Sequence, residues 1–149
     1  MIRQAKHADK LQLAWLVQEM FSEVGSEYGH VDRSAWTVEQ VFKAVDNDEA
    51  VYIAEDERAI VGFCAHAHIE GVNEGECWGL GAYVRPKYRG DNLANKLRTK
   101  AEEHCRKKGY KTIMGEYSVG NVAIEKSLAK HSGVEIVGYT VRKNITKDS

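Results

Sequence analysis

A basic turn that could bind an anion lies within VRPKYRGDNLANKL, residues 84–97. The residues before the turn are typical of a strand end, and those after it follow the apolar spacing of an amphipathic helix. The first amides of a helix have no partner inside the helix, and they lie at the positive end of its dipole. With Lys87, Arg89 and Gly90 at this point, the pattern predicts a site for an anion, most simply a phosphate.

Two common phosphate-binding turns are excluded by spacing. A Walker A loop requires G-x-x-x-x-G-K followed by Ser or Thr, and the sequence lacks it. A dinucleotide fingerprint requires G-x-G-x-x-G close to a first strand, whereas GLGAYV at residues 79–84 has only two of those glycines, inside a predicted strand. The turn therefore belongs to another class of phosphate site.

The bulk composition limits the classes of partner. The 149 residues fit one domain, and we predict a single domain over residues 1–149. Lys and Arg number 21 against 22 Asp and Glu, so no general attraction to nucleic acid or to an anionic membrane is expected. No apolar run reaches membrane-spanning length, and the N-terminus lacks a signal-peptide core. Three scattered cysteines favour a reducing, cytoplasmic location.

The apolar periodicity predicts the element order β-α-α-β-β-β-α-β-α-β. After a first strand and helix, a second helix is expected to begin at Thr37, and later elements are expected at residues 50–54, 59–69, 76–84, 91–108, 111–117, 121–130 and 135–145. In the strand over 59–69, strict alternation places Val61 and Phe63 on one face and Cys64 and His66 on the other. Short turns favour antiparallel pairing of the middle strands, and residues 76–117 suggest a parallel crossover in a mixed sheet.

The turn and the elements around it resemble a known family. VRPKYRG at residues 84–90, followed by an amphipathic helix, is similar to motif A of the GNAT superfamily of N-acetyltransferases, and the element order and Asn121 extend the resemblance over nearly the whole chain. It implies an α/β (α+β) fold with a mixed, mostly antiparallel sheet of six to seven strands and about four flanking helices. In this family the pyrophosphate of acetyl-CoA lies on the turn amides. The pantetheine arm lies between two splayed strands, here residues 80–84 and 113–117, where the glycines of GLGAYV would leave room.

The resemblance implies which residues bind acetyl-CoA. They are expected to be Ala82, Tyr83, Val84, Lys87, Arg89, Gly90, Asp91, Asn92, Leu93, Ala94 and Asn121. The family motif is Q or R, two variable residues, G, one variable residue, then G or A. Here Lys87 takes the first place, Gly90 the glycine and Asn92 the last. Ala94 can partly replace that last small residue, since some members read R-G-x-x-x-A.

Two residues that many family members use in catalysis are absent. The tyrosine that protonates the departing thiolate corresponds to Leu128 or Ala129, and the general-base glutamate corresponds to Trp78. Glu76, two residues earlier with the same facing, is expected to accept the amine proton directly or through water. The predicted catalytic residues are therefore Glu76, Tyr117 and Tyr139, with His66, His68 and Glu116 as alternative polar groups. Since no spacing adds a further ligand to His66, His68 and Cys64, we predict no metal site.

These residues lead to two hypotheses about function. The first is a cytoplasmic N-acetyltransferase that transfers acetyl from acetyl-CoA to a primary amine of a small molecule, peptide or protein, by direct attack in a ternary complex. Many relatives dimerise, so a homodimer is one expected state. The second is a GNAT-fold module, similar to short chains encoded by bacteriophages, that binds an acyl-CoA or a protein partner with weak or no turnover.

Overall fold

The computed structural model describes residues 1–24, 33–116, 126, 133–138, 141, 143, 145 and 146. The chain divides into two compact units, residues 1–118 and 119–149. The strands and α-helices described below lie in the first unit. They are β1 (Ile2–Gln4), α1 (Lys10–Val24), α2 (Ser34–Asp46), β2 (Ala50–Asp56), β3 (Ala59–Ala67), β4 (Glu76–Val84), α3 (Leu93–Lys107) and β5 (Thr112–Met114), with short 3-10 helices at His7–Asp9 and Pro86–Tyr88.

The sheet is mixed, as predicted. Its strand order is β1-β2-β3-β4-β5. The first four strands pair antiparallel with their neighbours, and β5 pairs parallel with β4. Helix α3 connects β4 to β5, which confirms the predicted parallel crossover. Because the turn between β4 and α3 lies at the C-terminal end of β4, the sheet fixes the position of the candidate anion site.

Two helical layers cover the sheet. One core packs α1 and α2 against residues such as Ile53, Phe63 and Leu80. The other packs α3, through Leu97, Ala101 and Cys105, against the opposite face. Both faces of the central strands are therefore covered, which explains why β2 and β3 are apolar almost throughout.

The predicted number of elements is too high for the described part of the chain. That part contains five strands and three α-helices, not six to seven strands and four helices. The helix expected to start at Asn121 lies largely outside the described residues. The strand expected over 135–145 is wrong for residues 135–138, which adopt no regular structure. β-branched residues are a weak strand signal on their own, because a strand also depends on pairing with a neighbour.

The start of the second helix also differs from the prediction. Helix α2 begins at Ser34, not at Thr37. Thr37 is buried inside the helix rather than placed at its first turn. The predicted start is therefore three residues too late, and the Thr37 amide donates to the Arg33 carbonyl at 2.9 Å.

Two β-bulges overturn the strict alternation of side chains. In β3, Gly62 pairs with Ala54 and Ile60 pairs with Glu55, so Val61 is an extra residue. As a result Val61 packs with Cys64 on the α3 side, not with Phe63 as alternation predicts. A bulge inserts one residue and reverses the facing of all that follow, and apolar spacing alone does not show where it occurs.

A buried carboxylate joins the N-terminal strand to the first helix. Asp9 is 5% exposed and accepts two hydrogen bonds from the Arg3 guanidinium, at 2.8 and 2.9 Å, and one from the Lys6 amide. Glu55 on β2 accepts from the other side of Arg3. The Arg3 hydrogen bonds hold the pKa of Asp9 below its usual value. The ionised form of Asp9 therefore stabilises the folded chain.

Replacing Asp9 by Asn is expected to lower the free energy of unfolding at neutral pH by about 2 kcal/mol, because the buried Asp9 site loses its charge and Arg3 keeps only Glu55 as a charged partner. Since the folded pKa of Asp9 lies below the unfolded value of 3.8, this contribution is complete above that pH and is lost as the pH falls through the folded pKa. Urea unfolding across the acid range would test both effects. Asp46→Asn, which removes the more exposed Lys10 pair, should cost about 0.5 kcal/mol or less. Equal losses in the two variants would contradict the role of Asp9.

Candidate active site

The turn between β4 and α3 presents a run of unpaired amides. Within the described part of the chain, the backbone amides of residues 90–95 donate no hydrogen bond, and the first amide of this region to bond is that of Lys96, to the Asn92 carbonyl at 3.1 Å. These amides surround the N-terminus of α3, where the helix dipole is positive. They can therefore bind several oxygens of one anion.

The backbone of this turn keeps the amides accessible. Gly90 has a φ of 104°, and a Cβ added there would meet no atom within 4 Å. Asn92, the residue before the first helical residue, has a φ of 61° and a ψ of 21°, in the left-handed region. The space beside Gly90 and the exposed amides fit a bulky anion such as a diphosphate.

The arginines of the turn are engaged in ion pairs with helix α1. The Arg89 guanidinium donates to the Glu23 carboxylate at 2.9 and 2.7 Å, and its Nε donates to the Val84 carbonyl at 2.7 Å. Arg85 makes a similar pair with Glu19, at 3.1 and 3.0 Å. The Arg89 hydrogen bonds lower the pKa of Glu23, so this carboxylate remains charged. An anion at the turn would have to share Arg89 with Glu23.

Strands β4 and β5 separate immediately beyond a short paired segment. Their parallel register covers only Glu76 with Thr112, Cys77 with Ile113 and Trp78 with Met114. From Gly79 to Val84, the described residues provide no partner strand on this side of β4. Pairing between the two strands therefore ends beside Gly79, at a point called the vertex below, and the splaying of residues 80–84 and 113–117 stays a prediction.

The open edge of β4 carries unused main-chain groups. Val84 pairs with Gly62 in β3, and the next amide, of Arg85, donates to the Val61 carbonyl at 2.9 Å. In an antiparallel ladder this pattern directs the N–H and C=O groups of Val84 and, two residues earlier, Ala82 away from β3. The side chain of Ala82 is exposed. An extended ligand could therefore bond along this edge as an additional strand would.

The β-bulge between the two glycines of GLGAYV places Gly81 against helix α1. At the second bulge Ala65 pairs with Gly81 and His66 with Gly79, so Leu80 is the extra residue. A Cβ at Gly81 would lie 2.9 Å from the Met20 Cε of α1. Close packing against helix α1 therefore accounts for glycine at position 81, without the predicted role of leaving room for a ligand.

Glu76 lies at the start of β4 with its carboxylate already bonded. Its Oε1 accepts from the Trp78 indole at 3.0 Å and its Oε2 from the Asn73 amide at 3.4 Å. Its carbonyl lies 2.8 Å from Nδ1 of His68. Trp78 lies between Glu76 and the vertex along the strand, so Glu76 would reach a reacting group there through a water.

A cavity of about 640 Å³ lies at the other end of the strands from the turn. Trp36 of α2, His68 and Tyr110 are among its lining residues. Its buried carboxylate, Glu49, accepts hydrogen bonds from Lys108, from the Tyr110 hydroxyl and from the His68 amide. Because these protein groups already satisfy the Glu49 carboxylate, a cationic ligand in the cavity would gain little from its negative charge.

Several predicted residues lie elsewhere or outside the described part. Tyr117, Tyr139 and Asn121 fall outside the described residues and stay predictions. Glu116 is exposed, with one oxygen 3.8 Å from an Arg33 nitrogen. Lys87 is also exposed, with its Nζ 5.7 Å from the Tyr88 ring centroid. The part of the chain with described positions contains no cluster of His, Cys, Asp or Glu able to hold a metal ion, and no helix suited to crossing a bilayer.

Comparison with known families identifies the fold. The sequence model of the Acetyltransferase (GNAT) family matches residues 11–140. The chain belongs to the GNAT family. No curated protein matches the sequence.

Solved structures share this GNAT architecture. The aminoglycoside N-acetyltransferase AAC(6')-Iy, solved with a bisubstrate analogue, is 19% identical, covering 96% of this chain and 98% of its own, with a TM-score of 0.65. The ribosomal-protein-alanine N-acetyltransferase of Brucella melitensis is 17% identical, covering 85% and 79%, with a TM-score of 0.67. The PaiA N-acetyltransferase of Thermoplasma acidophilum, in complex with coenzyme A, is 16% identical, covering 85% of each chain, with a TM-score of 0.66. At these identities the likeness shows a common fold, and the prediction of acetyl-CoA as cosubstrate is consistent with the ligands of these structures.

The backbone favours a different register for the GNAT motif. Asn92 has the positive φ that glycine adopts most readily, which indicates that it occupies the glycine position. The motif then begins at Arg89 and ends at Ala94, two residues later than the register that starts at Lys87. In this register both ends match the family pattern and only Asn92 departs from it. Asparagine is the residue besides glycine that tolerates this conformation, so the turn is preserved.

Replacing Asn92 by Gly should raise the free energy of unfolding by about 0.5 kcal/mol, because glycine adopts the left-handed conformation without steric cost. Asn92→Val should lower it by about 1–2 kcal/mol. Asn95→Gly, three residues further into α3, is the matched control. It should lower the free energy of unfolding by about a few tenths of a kcal/mol, because that position is helical. Chemical denaturation would measure all three. The same sign for the two glycine variants would exclude strain at Asn92.

Proposed function

We propose that this protein is an acetyl-CoA-dependent N-acetyltransferase that acts on a primary amine of a small molecule, peptide or protein. The observation that carries the proposal is the run of unpaired amides at residues 90–95, next to the open edge of β4. Acetyl-CoA combines a diphosphate with an extended arm that ends in a thioester, and these two features suit the two parts of the site.

The residues that would hold acetyl-CoA follow from this geometry. The amides of Gly90 to Ala94 would bind the pyrophosphate, and the open main-chain groups of Ala82 and Val84 would bond the pantetheine arm. Arg89 would add charge if the pyrophosphate displaces part of its pairing with Glu23. When bound, acetyl-CoA supplies an activated acyl group for attack by a neutral amine.

Glu76 is the proposed proton acceptor for the attacking amine. The Trp78 indole holds its Oε1, which fixes the carboxylate on the strand while leaving lone pairs for a water. A bound water would then carry the amine proton to Glu76 as the nitrogen attacks the acyl carbon. This arrangement explains how a base two residues from the usual family position could still act.

The acceptor is proposed at the level of its chemical class. The similar structures are named for aminoglycosides and for a ribosomal-protein alanine, and both of these contain amines. We also propose a cytoplasmic, single-domain protein, with a homodimer as one assembly to be tested. Calorimetric titration with CoA, followed by a thiol-release assay with acetyl-CoA across an amine panel, tests the proposal; absence of CoA binding would overturn it.

A module without turnover is the second candidate function. Three observations favour it: Arg89 is neutralised by Glu23, Asn92 stands where the family has glycine, and the Glu76 carboxylate is already bonded by Trp78. CoA binding without thiol release for any amine would support this candidate.

Arg89→Glu is expected to weaken CoA binding by about 10-fold or more, because it reverses a charge beside the bound diphosphate and faces Glu23 with a like charge. Lys107→Glu is the matched control, since it makes the same charge change at the far end of α3. Its affinity should stay within about twofold of the parent, because that site is screened from the turn. Calorimetry on both variants, with thermal unfolding to confirm folding, gives the answer. Equal affinity in Arg89→Glu and the parent would remove the turn from the site.

Glu76→Gln is expected to lower the rate of acetyl transfer at neutral pH by about 100-fold with little change in CoA affinity, because an amide cannot accept the amine proton. Glu74→Gln, on the exposed turn before β4, is the control and should keep the parent rate. Steady-state kinetics for both variants would measure this. A parent-like rate in Glu76→Gln would place the base elsewhere.

A further inference from the structure

A histidine that the site residues above do not use lies beside the vertex. His66 on β3 pairs in register with Gly79 on β4, on the face covered by α3. Its Nδ1 is buried and makes no hydrogen bond within the described part of the chain. A buried polar atom without a partner costs free energy, so an unpaired ring nitrogen at this place requires an explanation.

The position of Nδ1 relative to Gly79 connects it to the open edge. A Cβ added at Gly79 would lie 3.4 Å from Nδ1 and 3.6 Å from the carbonyl oxygen of Met114 on β5. Trp78 and Met114 form the last pair of the two strands, so this space lies where their pairing ends. Because Gly79 has no side chain, none lies at this point between Nδ1 and the Met114 carbonyl, and Nδ1 itself stays buried from solvent.

The contact on the other ring nitrogen indicates which nitrogen carries the proton. Nε2 lies 3.6 Å from Sγ of Cys64. Burial raises the pKa of Cys64 to about 12, so the thiol keeps its hydrogen. In the tautomer in which the thiol donates its S–H to Nε2, the ring hydrogen lies on Nδ1, and the proposal below uses this tautomer. Burial also lowers the pKa of His66 to about 4, so the ring is neutral near neutral pH.

We propose that His66 is a further catalytic residue, whose Nδ1–H donates a hydrogen bond to the thioester sulfur at the vertex. This inference rests on the proposed function, because it requires the pantetheine arm to lie along the open edge of β4. An arm bound from Val84 toward Gly79 ends at this vertex. The assignment also supplies a donor where the sequence has Leu128 or Ala129 in place of the usual family tyrosine.

The reaction balances without a proton transfer from His66. The amine nitrogen attacks the acyl carbon and forms the C–N bond, and the C–S bond breaks with its electron pair moving to the sulfur. The amine proton goes to Glu76 or to water, and the thiolate takes a proton from solvent after release. The Nδ1–H bond strengthens as negative charge develops on sulfur, so it stabilises the transition state more than the ground state.

Binding of two ligands that differ at the sulfur tests the contact without turnover. Calorimetry would compare CoA with desulfo-CoA, which lacks that atom. The parent should prefer CoA by about 10-fold under conditions where the thiol is partly ionised, which is the range of a hydrogen bond to a charged acceptor. His66→Gln keeps a group near Cys64 but no donor at the Nδ1 position, so the preference should disappear. His66→Asn places an amide N–H close to the Nδ1 position and should retain most of it.

Turnover and tautomer provide independent readouts. His66→Gln should lower kcat by about 10-fold or more, with KM for acetyl-CoA within about twofold, and His66→Asn should restore most of the rate. Gly79→Ala, whose methyl group would cover Nδ1, should lower kcat in the same way with His66 unchanged. Nitrogen NMR of the parent should show the Nδ1–H tautomer.

Each outcome decides between the inference and the function on which it rests. If the parent fails to bind CoA, the proposed function fails and takes this inference with it. If the parent binds CoA but the preference over desulfo-CoA is the same in His66→Gln, the proposed function survives and the role of His66 is overturned. An Nε2–H tautomer, or no rescue by His66→Asn where His66→Gln has lost activity, would also overturn it. If a His66 variant fails to fold, Gly79→Ala, which changes no residue of either hydrophobic core, provides the test instead.

Discussion

The start of helix α3 is the constraint on which the candidate site depends. A helix leaves its first amides without internal partners, and here no described group accepts from residues 90–95. Most of this turn is exposed, so water can bond to the amides when no anion is present. An anion that replaces this water gains several N–H bonds and the favourable dipole together. The fold thus provides a candidate anion site from backbone groups, in a chain whose net charge is -1.

The arginines near this turn form ion pairs within the protein, so a ligand would have to compete for them. Glu19 and Glu23, four residues apart on α1, each bind an arginine of the turn. These pairs tie α1 to the end of β4. The overall charge near zero and the paired arginines explain why any anion binding must come mainly from backbone groups. They also make affinity at this turn sensitive to Glu23, which competes for Arg89.

The end of the pairing between β4 and β5 gives the candidate site its second part. Three residue pairs hold the strands together, and beyond Trp78 the described residues leave this edge of β4 without a partner strand. The bulge at Leu80 lies just past this point and turns Leu80 and Gly81 toward the same core. The bulge lets β4 stay paired with β3 while its other edge is free. His66 borders this vertex because β3 and β4 remain in register at Gly79.

Local sequence patterns were enough to predict the mixed sheet, the crossover and the basic turn. These features depend on local spacing. The basic turn at Lys87 to Gly90, followed by an amphipathic helix, could therefore be predicted without knowing the rest of the fold. It also determined the family, through the motif that residues 84–90 begin. Glu76 could be located on the correct strand because its facing follows from alternation up to the bulge.

Which polar groups are free and which are hydrogen-bonded depends on contacts that form only in the folded chain. Arg89 bonds to Glu23, 66 residues away in the chain, and no local pattern predicts that pairing. The two bulges reverse the facing of Val61 and of the residues after Leu80, because pairing between strands selects them rather than side-chain type. The unpaired Nδ1 of His66 likewise results from its neighbours, Gly79 and Met114, which the chain brings together only through the sheet. Hydrogen-bond satisfaction is a property of contacts between distant segments, and for that reason the chemistry of this site became visible only in the folded chain.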